Sequence, residues 1–172
     1  MSNQEKFDVL VVGAGPGGYV CAIRCAQLGL KTGLIEKNPR LGGTCLNVGC
    51  IPSKALLHST EIYHELVHSA ESHGIVAKGI SHDISKLMKK KDAVVEQLGK
   101  GVAALVKKKG VTLIPGTATL LPEGKVEVTH QDSSQTLTAN EIILATGSKP
   151  VELPFLPFDG TKIVHSDHGI AF

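Results

Sequence analysis

Apolar residues run almost unbroken from Phe7 to Val12, and so short and apolar a run predicts a strand buried on both faces. Glycines at 13, 15, 17 and 18 then turn the chain into a helix reaching about Leu28, where Gly29 stops it. Thr32 to Glu36 predicts a second strand, which completes a strand–helix–strand unit. A loop with Pro39, Gly42, Gly43 and Gly49 follows, then a helix from about Pro52 to Ser72, with Gly74 breaking the pattern.

From Ile84 the apolar positions are 84, 87, 88, 94, 95, 98, 102, 105 and 106, which is one long amphipathic helical stripe. The lysine runs 89–91 and 107–109 lie on or near its other face, where solvated side chains are expected rather than an anion site. Beyond Gly110 the period shortens to that of strands: Val111 to Ile114, Ala118 to Leu121, Lys125 to Thr129, Thr136 to Thr138 and Glu141 to Ala145. Pro122–Glu123–Gly124 and Gln131 to Ser134 supply turns. The tail from Lys149 to Phe172 has prolines at 150, 154 and 157 and no clear period. The pattern predicts an α/β domain over residues 1–148, with 149–172 leading toward something the chain does not finish.

Composition narrows the class. Of the 172 residues 42% are hydrophobic but only 3% aromatic, so the core must be built from Val, Ile, Leu and Ala, the palette of a buried parallel sheet. Eighteen basic and 16 acidic residues leave a net charge of +2, which argues against a nucleic-acid surface. No apolar stretch approaches the roughly 18 residues that a bilayer span needs. The segment Met1 to Lys6 has neither the basic leader nor the apolar middle of a secretory signal. A reducing, cytoplasmic setting is therefore expected, in which Cys21, Cys25, Cys45 and Cys50 are catalytic or buried rather than structural staples.

Gly13-Ala14-Gly15-Pro16-Gly17-Gly18 fits G-x-G-x-x-G in strand–turn–helix context. Gly13 permits the tight turn, Gly15 lets backbone approach a pyrophosphate, and Gly18 allows close packing of helix on strand. The helix N-terminus offers N–H groups and partial positive charge to phosphates. Glu36 closes the second strand 21 residues after Gly15, where a carboxylate would accept ribose hydroxyls. A second match, Gly99 to Ala104, lies inside the amphipathic stripe with no strand before it, so one dinucleotide site is expected.

Cys45 and Cys50 stand five apart. In a regular helix that spacing separates Cα atoms by about 8.7 Å, whereas a disulfide needs less than about 7 Å. If the two bridge, the segment must depart from ideal helix, and Gly49 allows the bend. Pro52 suits the first turn of the next helix, which would set Cys50 at its positive end, where a thiolate is favoured. Zinc held by all four cysteines and a pair of inert buried thiols remain as alternatives, the zinc one opposed by the spacings. Cys21 and Cys25 are most simply small core residues. His64-Glu65-Leu66-Val67-His68 matches H-E-x-x-H, the zinc metalloprotease signature, but no third ligand follows at a telling spacing and no metal is expected.

Together the glycine turn, the segment Gly42 to Lys54 and the strand ending Ala145-Thr146-Gly147-Ser148-Lys149-Pro150 resemble the FAD-dependent pyridine nucleotide-disulfide oxidoreductases. Leu46 to Leu57 is most similar to the dihydrolipoyl dehydrogenase branch, with Ser53 standing where glutathione reductases usually carry lysine. Mercuric reductases resemble this segment too, and the alternatives from other classes are a flavin- or adenine-nucleotide-binding module without redox chemistry and a zinc metalloprotease. The resemblance implies a Rossmann-like FAD-binding domain with a parallel sheet, a long helical pair and a small additional β-meander, incomplete relative to the full family fold.

It further implies that Gly13, Gly15 and Gly18 hold the FAD pyrophosphate and Glu36 the adenosine ribose. Lys37, Gly43, Thr44 and Cys45 would border the cofactor, and Lys54 would sit beside the flavin ring. Ala118 would contact the adenine side, and Thr146, Gly147 and Ser148 would line the cofactor after the last strand. Cys45 would exchange with dihydrolipoamide, Cys50 would face the flavin, and NAD+ would be the final acceptor. The implied partners are the lipoyl domains of 2-oxoacid dehydrogenase or glycine cleavage complexes and a second copy in a homodimer, with no nucleic acid and no membrane. The family's NAD domain and interface domain, with its catalytic His–Glu pair, have no counterpart here, so the chain by itself is expected to be inactive. His165 and His168 in the tail have no claim to that role.

Overall fold

The computed structural model describes residues 6–171, so Met1 to Glu5 and Phe172, and the expectations drawn from them, lie outside the described residues. Strand β1 (Lys6–Val12), helix α1 (Pro16–Gln27) and strand β2 (Thr32–Glu36) form the expected opening unit. Pro16 occupies the first helical position, where its missing N–H costs nothing. Gly29 ends the helix at φ +84°, a conformation that favours glycine.

The segment after β2 differs from expectation. A short helix α2 (Gly43–Val48) lies within the predicted loop, and α3 (Cys50–His68) begins two residues before Pro52. Gly49 between them takes φ −137° and ψ −109°, outside the helical region, so the two helices are separate. A 3-10 turn, Ala70–His73, follows α3, and Gly74 closes it at φ +70°. Helix α4 (Ile84–Lys108) covers the whole predicted stripe.

The strands after Gly110 are β3 (Thr112–Pro115), β4 (Thr117–Leu121), β5 (Lys125–His130) and β6 (Ser133–Leu144). The two strands expected at 136–138 and 141–145 are one. Its first half pairs antiparallel with β5, from Ser133 opposite His130 to Thr138 opposite Lys125. Its second half pairs parallel with β1, from Thr138 opposite Lys6 to Leu144 opposite Val12. Thr138 is paired on both sides, and Ala139 opposite Phe7 and Glu141 opposite Val9 continue the ladder instead of ending it. The sheet order is β3-β2-β1-β6-β5-β4, parallel from β3 to β6 and antiparallel from β6 to β4.

The chain divides into two compact units. One comprises the chain through Cys45 with Leu98–Lys149, and the other Leu46–Gln97 with the segment from Pro150 onward. In the first, every residue of β2 is buried, as a strand covered on both faces requires. One core joins Val9, Val11 and Leu34 to Ala22 and Ile23 of α1 and Val106 of α4. The other joins Phe7, Leu10, Val12 and Ile35 to Val126, Val128 and Leu137 of the antiparallel strands. Phe7, Leu10, Leu34 and Ile35 are at most 1% exposed, and burial of such a side chain stabilises the fold by about 1.5–3 kcal/mol.

In the second unit one of the expected solvated lysines is not solvated. Lys91 is 7% exposed. Its Nζ donates to the Ile170 carbonyl at 2.9 Å and stands 3.2 Å from Asp92 Oδ1, partners without which a buried ammonium would be costly. The tail ends in a short helix α5 (Ser166–Gly169) with a reciprocal cap: His165 Nδ1 accepts the Asp167 N–H, and His168 Nδ1 accepts the His165 N–H, each at 3.3 Å. These histidines serve the backbone of their own turn.

Candidate functional site

The glycine turn is built from close approaches. A Cβ on Gly18 would stand 1.7 Å from the Gly13 carbonyl oxygen, and one on Gly13 would stand 2.3 Å from the Ala145 carbonyl oxygen. Gly13 also takes φ +100°. Gly15 is different, because the nearest atom to a Cβ there is the Gly43 Cα at 3.8 Å. Gly13 and Gly18 are therefore required by the protein's own packing, whereas the space at Gly15 is open and a methyl group would fill it.

Hydrogen bonds gather the surrounding residues. The Gly13 N–H donates to the Ile35 carbonyl, the Gly42 N–H to the Ala14 carbonyl and the Ala145 N–H to the Val12 carbonyl, each at 2.8 Å. Gly13, Gly15, Glu36, Gly43 and Thr146 are thus brought together around the N-terminus of α1. The Gly15 carbonyl accepts from Gly18 and Tyr19, but the N–H groups of Gly15 and Gly17 find no acceptor among the described residues. Two orphan donors at a helix N-terminus, beside open space, suit an anionic group such as a pyrophosphate. On this test the residues fit the cofactor that the sequence implies.

Glu36 is buried at 7% exposure. Its Oε2 accepts the Ala14 N–H at 2.8 Å, and its Oε1 accepts the Asn38 N–H at 2.8 Å and the Asn38 Nδ2 at 2.9 Å. A carboxylate has about four acceptor sites, so one, on Oε2, remains for a ligand hydroxyl. Asn38, which sequence reasoning passed over, thus holds the carboxylate in place. Its only signal was an Asn two residues after the acidic strand end. The Gly116 N–H donates to the Glu36 carbonyl at 2.9 Å, which ties the start of β4, and with it half-buried Ala118, to the same strand end.

Lys37 and Thr44 are exposed, as are Gly147 and Ser148 beyond β6, and Gly147 takes φ +73°. In the other unit Cys50 opens α3 and Lys54 follows one helical turn later, both exposed. The Ser53 N–H and Oγ both donate to the Gly49 carbonyl, at 3.1 and 2.7 Å, which closes the first turn behind Cys50. An apolar cleft of about 530 Å³, lined among others by Ile62, Tyr63, Leu66, Ile84 and Leu87, contains none of the sequence-predicted site residues.

Cys45 and Cys50 are disulfide-bonded, and Cys21 and Cys25 are free thiols. The bond spans the interruption at Gly49, so the pair escapes the spacing that one continuous helix would impose. Four-cysteine zinc coordination and two inert thiols at 45 and 50 are both incompatible with this linkage. Burial pushes the Cys21 thiol above its ordinary pKa, and the adjacent Cys25, by charge and by hydrogen bond, adds to the rise. A thiol so shifted is a poor nucleophile at neutral pH.

The profile of the pyridine nucleotide-disulphide oxidoreductase family matches residues 7–170. A leghemoglobin reductase from Vigna unguiculata is 47% identical over 171 residues, 99% of this chain and 33% of that protein. A dihydrolipoyl dehydrogenase from Trypanosoma brucei brucei is 47% identical over 169 residues, 97% of this chain and 35% of that protein. The mitochondrial dihydrolipoyl dehydrogenase 1 of Arabidopsis thaliana is 46% identical over 166 residues, 96% of this chain and 33% of that protein. The chain thus spans about a third of the length of these relatives. Among solved structures, the HOCl-induced flavoprotein disulfide reductase RclA from Escherichia coli, in its Cu(II) complex, aligns with a TM-score of 0.69 at 26% identity, over 87% of this chain and 30% of that one.

Proposed function

This chain belongs to the pyridine nucleotide-disulphide oxidoreductase family, and on that premise we propose that residues 1–148 are the FAD-binding, disulfide-bearing portion of a dihydrolipoyl dehydrogenase, with 149–172 leading out of it. The observation that carries this is the Cys45–Cys50 disulfide, set across the interruption at Gly49 with Cys50 in the first turn of α3. The relatives named dihydrolipoyl dehydrogenase support it.

In the proposed chemistry one thiolate of dihydrolipoamide attacks Cys45 Sγ. A mixed disulfide forms as the bond to Cys50 breaks, and Cys50 leaves as a thiolate that the N-terminus of α3 stabilises. The second substrate thiolate then attacks the substrate sulfur bound to Cys45, which closes the lipoamide ring and releases Cys45. FAD, when bound, would accept the two electrons from this dithiol and deliver them to NAD+ as hydride. Gly13, Gly15 and Gly18 would hold its pyrophosphate and Glu36 its ribose. Lys37, Gly43, Thr44, Cys45, Lys54, Ala118 and Thr146 to Ser148 are its other proposed contacts. The proposed physiological substrate is dihydrolipoamide on the lipoyl domain of a 2-oxoacid dehydrogenase or glycine cleavage complex, and the whole enzyme is proposed to be a homodimer. Among the described residues no helix is long and apolar enough to cross a membrane. The proposed compartment is the cytoplasm, although several relatives are named mitochondrial.

The test is to treat the oxidised chain with dihydrolipoamide, quench in acid, alkylate, and map the labels by mass spectrometry. New labels at Cys45 and Cys50 are expected, and their persistence as a disulfide would sink the assignment. With FAD and NAD+ added, the 172-residue chain should form no NADH. In the proposal its G-x-G-x-x-G turn is given to FAD, and a general base of the kind in the family's His–Glu pair typically contributes about 10²–10⁴-fold. Turnover within a few-fold of a full-length relative would overturn that division of labour.

A further inference from the structure

Helix α3 ends on two histidines that the thiol chemistry does not use. His64 and His68 are four residues apart in its last turns and so share one face. Both are exposed, with ring centroids 4.6 Å apart and planes tilted by 44°. Neither ring makes a hydrogen bond to any described residue. The other close pair behaves differently: His165 and His168 have centroids 3.9 Å apart, but each commits its Nδ1 to a backbone N–H of the α5 cap. Among the described residues no group of three or more His, Cys, Asp or Glu could hold a metal ion. A catalytic zinc site takes three protein ligands and a water, whereas the pair on α3 offers two imidazoles. Two free imidazoles on a regular helix still provide two nitrogen donors.

We infer that His64 and His68 form a two-nitrogen chelate for a divalent transition-metal ion, with water completing the coordination shell. The C-terminal end of a helix carries partial negative charge, which favours a cation there. Glu61 and Glu65 lie on the same turns and add negative charge, whereas the one lysine or arginine of α3 is Lys54, ten residues before His64. Imidazole suits copper, nickel and zinc, and the order of divalent affinities puts Cu2+ first. The spacing alone does not make a site. The uncommitted rings, their mutual approach and the sign of the local charge together do.

The probe is Cu(II)–iminodiacetate, whose chelator leaves room for two imidazoles and so discriminates against single histidines. Titrated into the 172-residue chain, it should bind at one equivalent with a nitrogen hyperfine pattern of two equatorial imidazoles in the electron paramagnetic resonance spectrum. His64→Ala and His68→Ala should each weaken binding at least tenfold and remove the two-nitrogen pattern, while His165→Ala should change neither. Circular dichroism should find the helix content of all variants unaltered, since the substituted side chains are exposed. A one-imidazole spectrum in the parent chain, or undiminished binding in the His64→Ala/His68→Ala double variant, would overturn the site.

Discussion

Glu36 Oε2 accepts the backbone N–H of Ala14 at 2.8 Å, which joins the end of β2 to the turn that follows β1. Ala14 is fully buried, so this N–H has no access to water, and the carboxylate is its partner in the fold. The same side chain was chosen from the sequence for its reach toward a ribose. One acceptor site serves the ligand in the proposal, and the other three serve the protein.

Glu36→Ala should accordingly damage two properties at once. Loss of a partner from a buried donor costs about 1–3 kcal/mol, so the urea midpoint of the chain should fall. In the longest form of the protein that binds FAD, the lost bond to a hydroxyl should also weaken the flavin on the order of tenfold, each 1.4 kcal/mol being a factor of about ten. A lowered midpoint with unchanged FAD affinity would leave Glu36 as a structural tie only.

The glycines should separate by role. Gly18→Ala drives a methyl group to 1.7 Å from the Gly13 oxygen, so destabilisation on the order of 3 kcal/mol is expected. Gly15→Ala meets nothing closer than 3.8 Å and should alter stability by no more than about 1 kcal/mol. It should nonetheless abolish measurable FAD binding, because the methyl group takes the space at the orphan N–H groups. Equal loss of stability in the two variants, read by chemical denaturation, would contradict the distinction.

Alkylation of the unreduced protein should label Cys21 and Cys25 but neither Cys45 nor Cys50, and dithiothreitol should expose the second pair. Labelling of Cys21 should be slow at neutral pH and accelerate only above the ordinary thiol range, because burial raises its pKa. Two alkylatable thiols at 45 and 50 without reductant would rule out the proposed redox pair.

Asp159 provides a pH-dependent element. Its Oδ1 accepts the N–H groups of Thr161, Lys162 and Ile163 at 2.8, 2.8 and 2.9 Å, and the bonds from Thr161, Ile163 and Lys162 lower its pKa to about 2. A carboxyl depressed in the folded state stabilises the turn fully above its unfolded pKa of about 3.9, and the stabilisation is lost as pH falls from there through about 2. Amide resonances of Thr161 to Ile163 should therefore be native-like at pH 5 and shift toward unstructured values near pH 2. In Asp159→Asn the same amides should show no such transition.

What the sequence disclosed was local. The turn at Gly13 to Gly18, the stop at Gly29 and the stripe of α4 each follow from residues within a few positions of one another. The single strand β6 does not, because its continuity depends on β5 on one flank and β1 on the other, and neither pairing can be read from residues 133–144. Lys91 belonged by its neighbours to a solvated run, but the carbonyl that holds it comes from Ile170. Gly49 was visible as a residue able to bend, yet the start of α3 at Cys50 rather than near Pro52 is set by how the backbone turns there. In the glycine turn the sequence named Gly13, Gly15 and Gly18 together. That Gly13 and Gly18 are packed against backbone whereas Gly15 borders open space needed the distances to Ala145, Gly13 and Gly43.

The pairing of Val12 with Leu144 places the first strand beside one synthesised about 130 residues later. At translation rates of about 5–20 residues per second, β1 spends on the order of ten seconds outside the ribosome with its β6 flank bare. β2 can cover its other side early, whereas the hairpins of β4, β5 and β6 close among near neighbours as soon as they emerge. Among the described strands the seam between β1 and β6 therefore forms after the hairpins, with strands made early and late meeting in the middle of the sheet. Substitutions on the facing residues of that seam should slow maturation of the nascent chain more than equally destabilising ones in the hairpins.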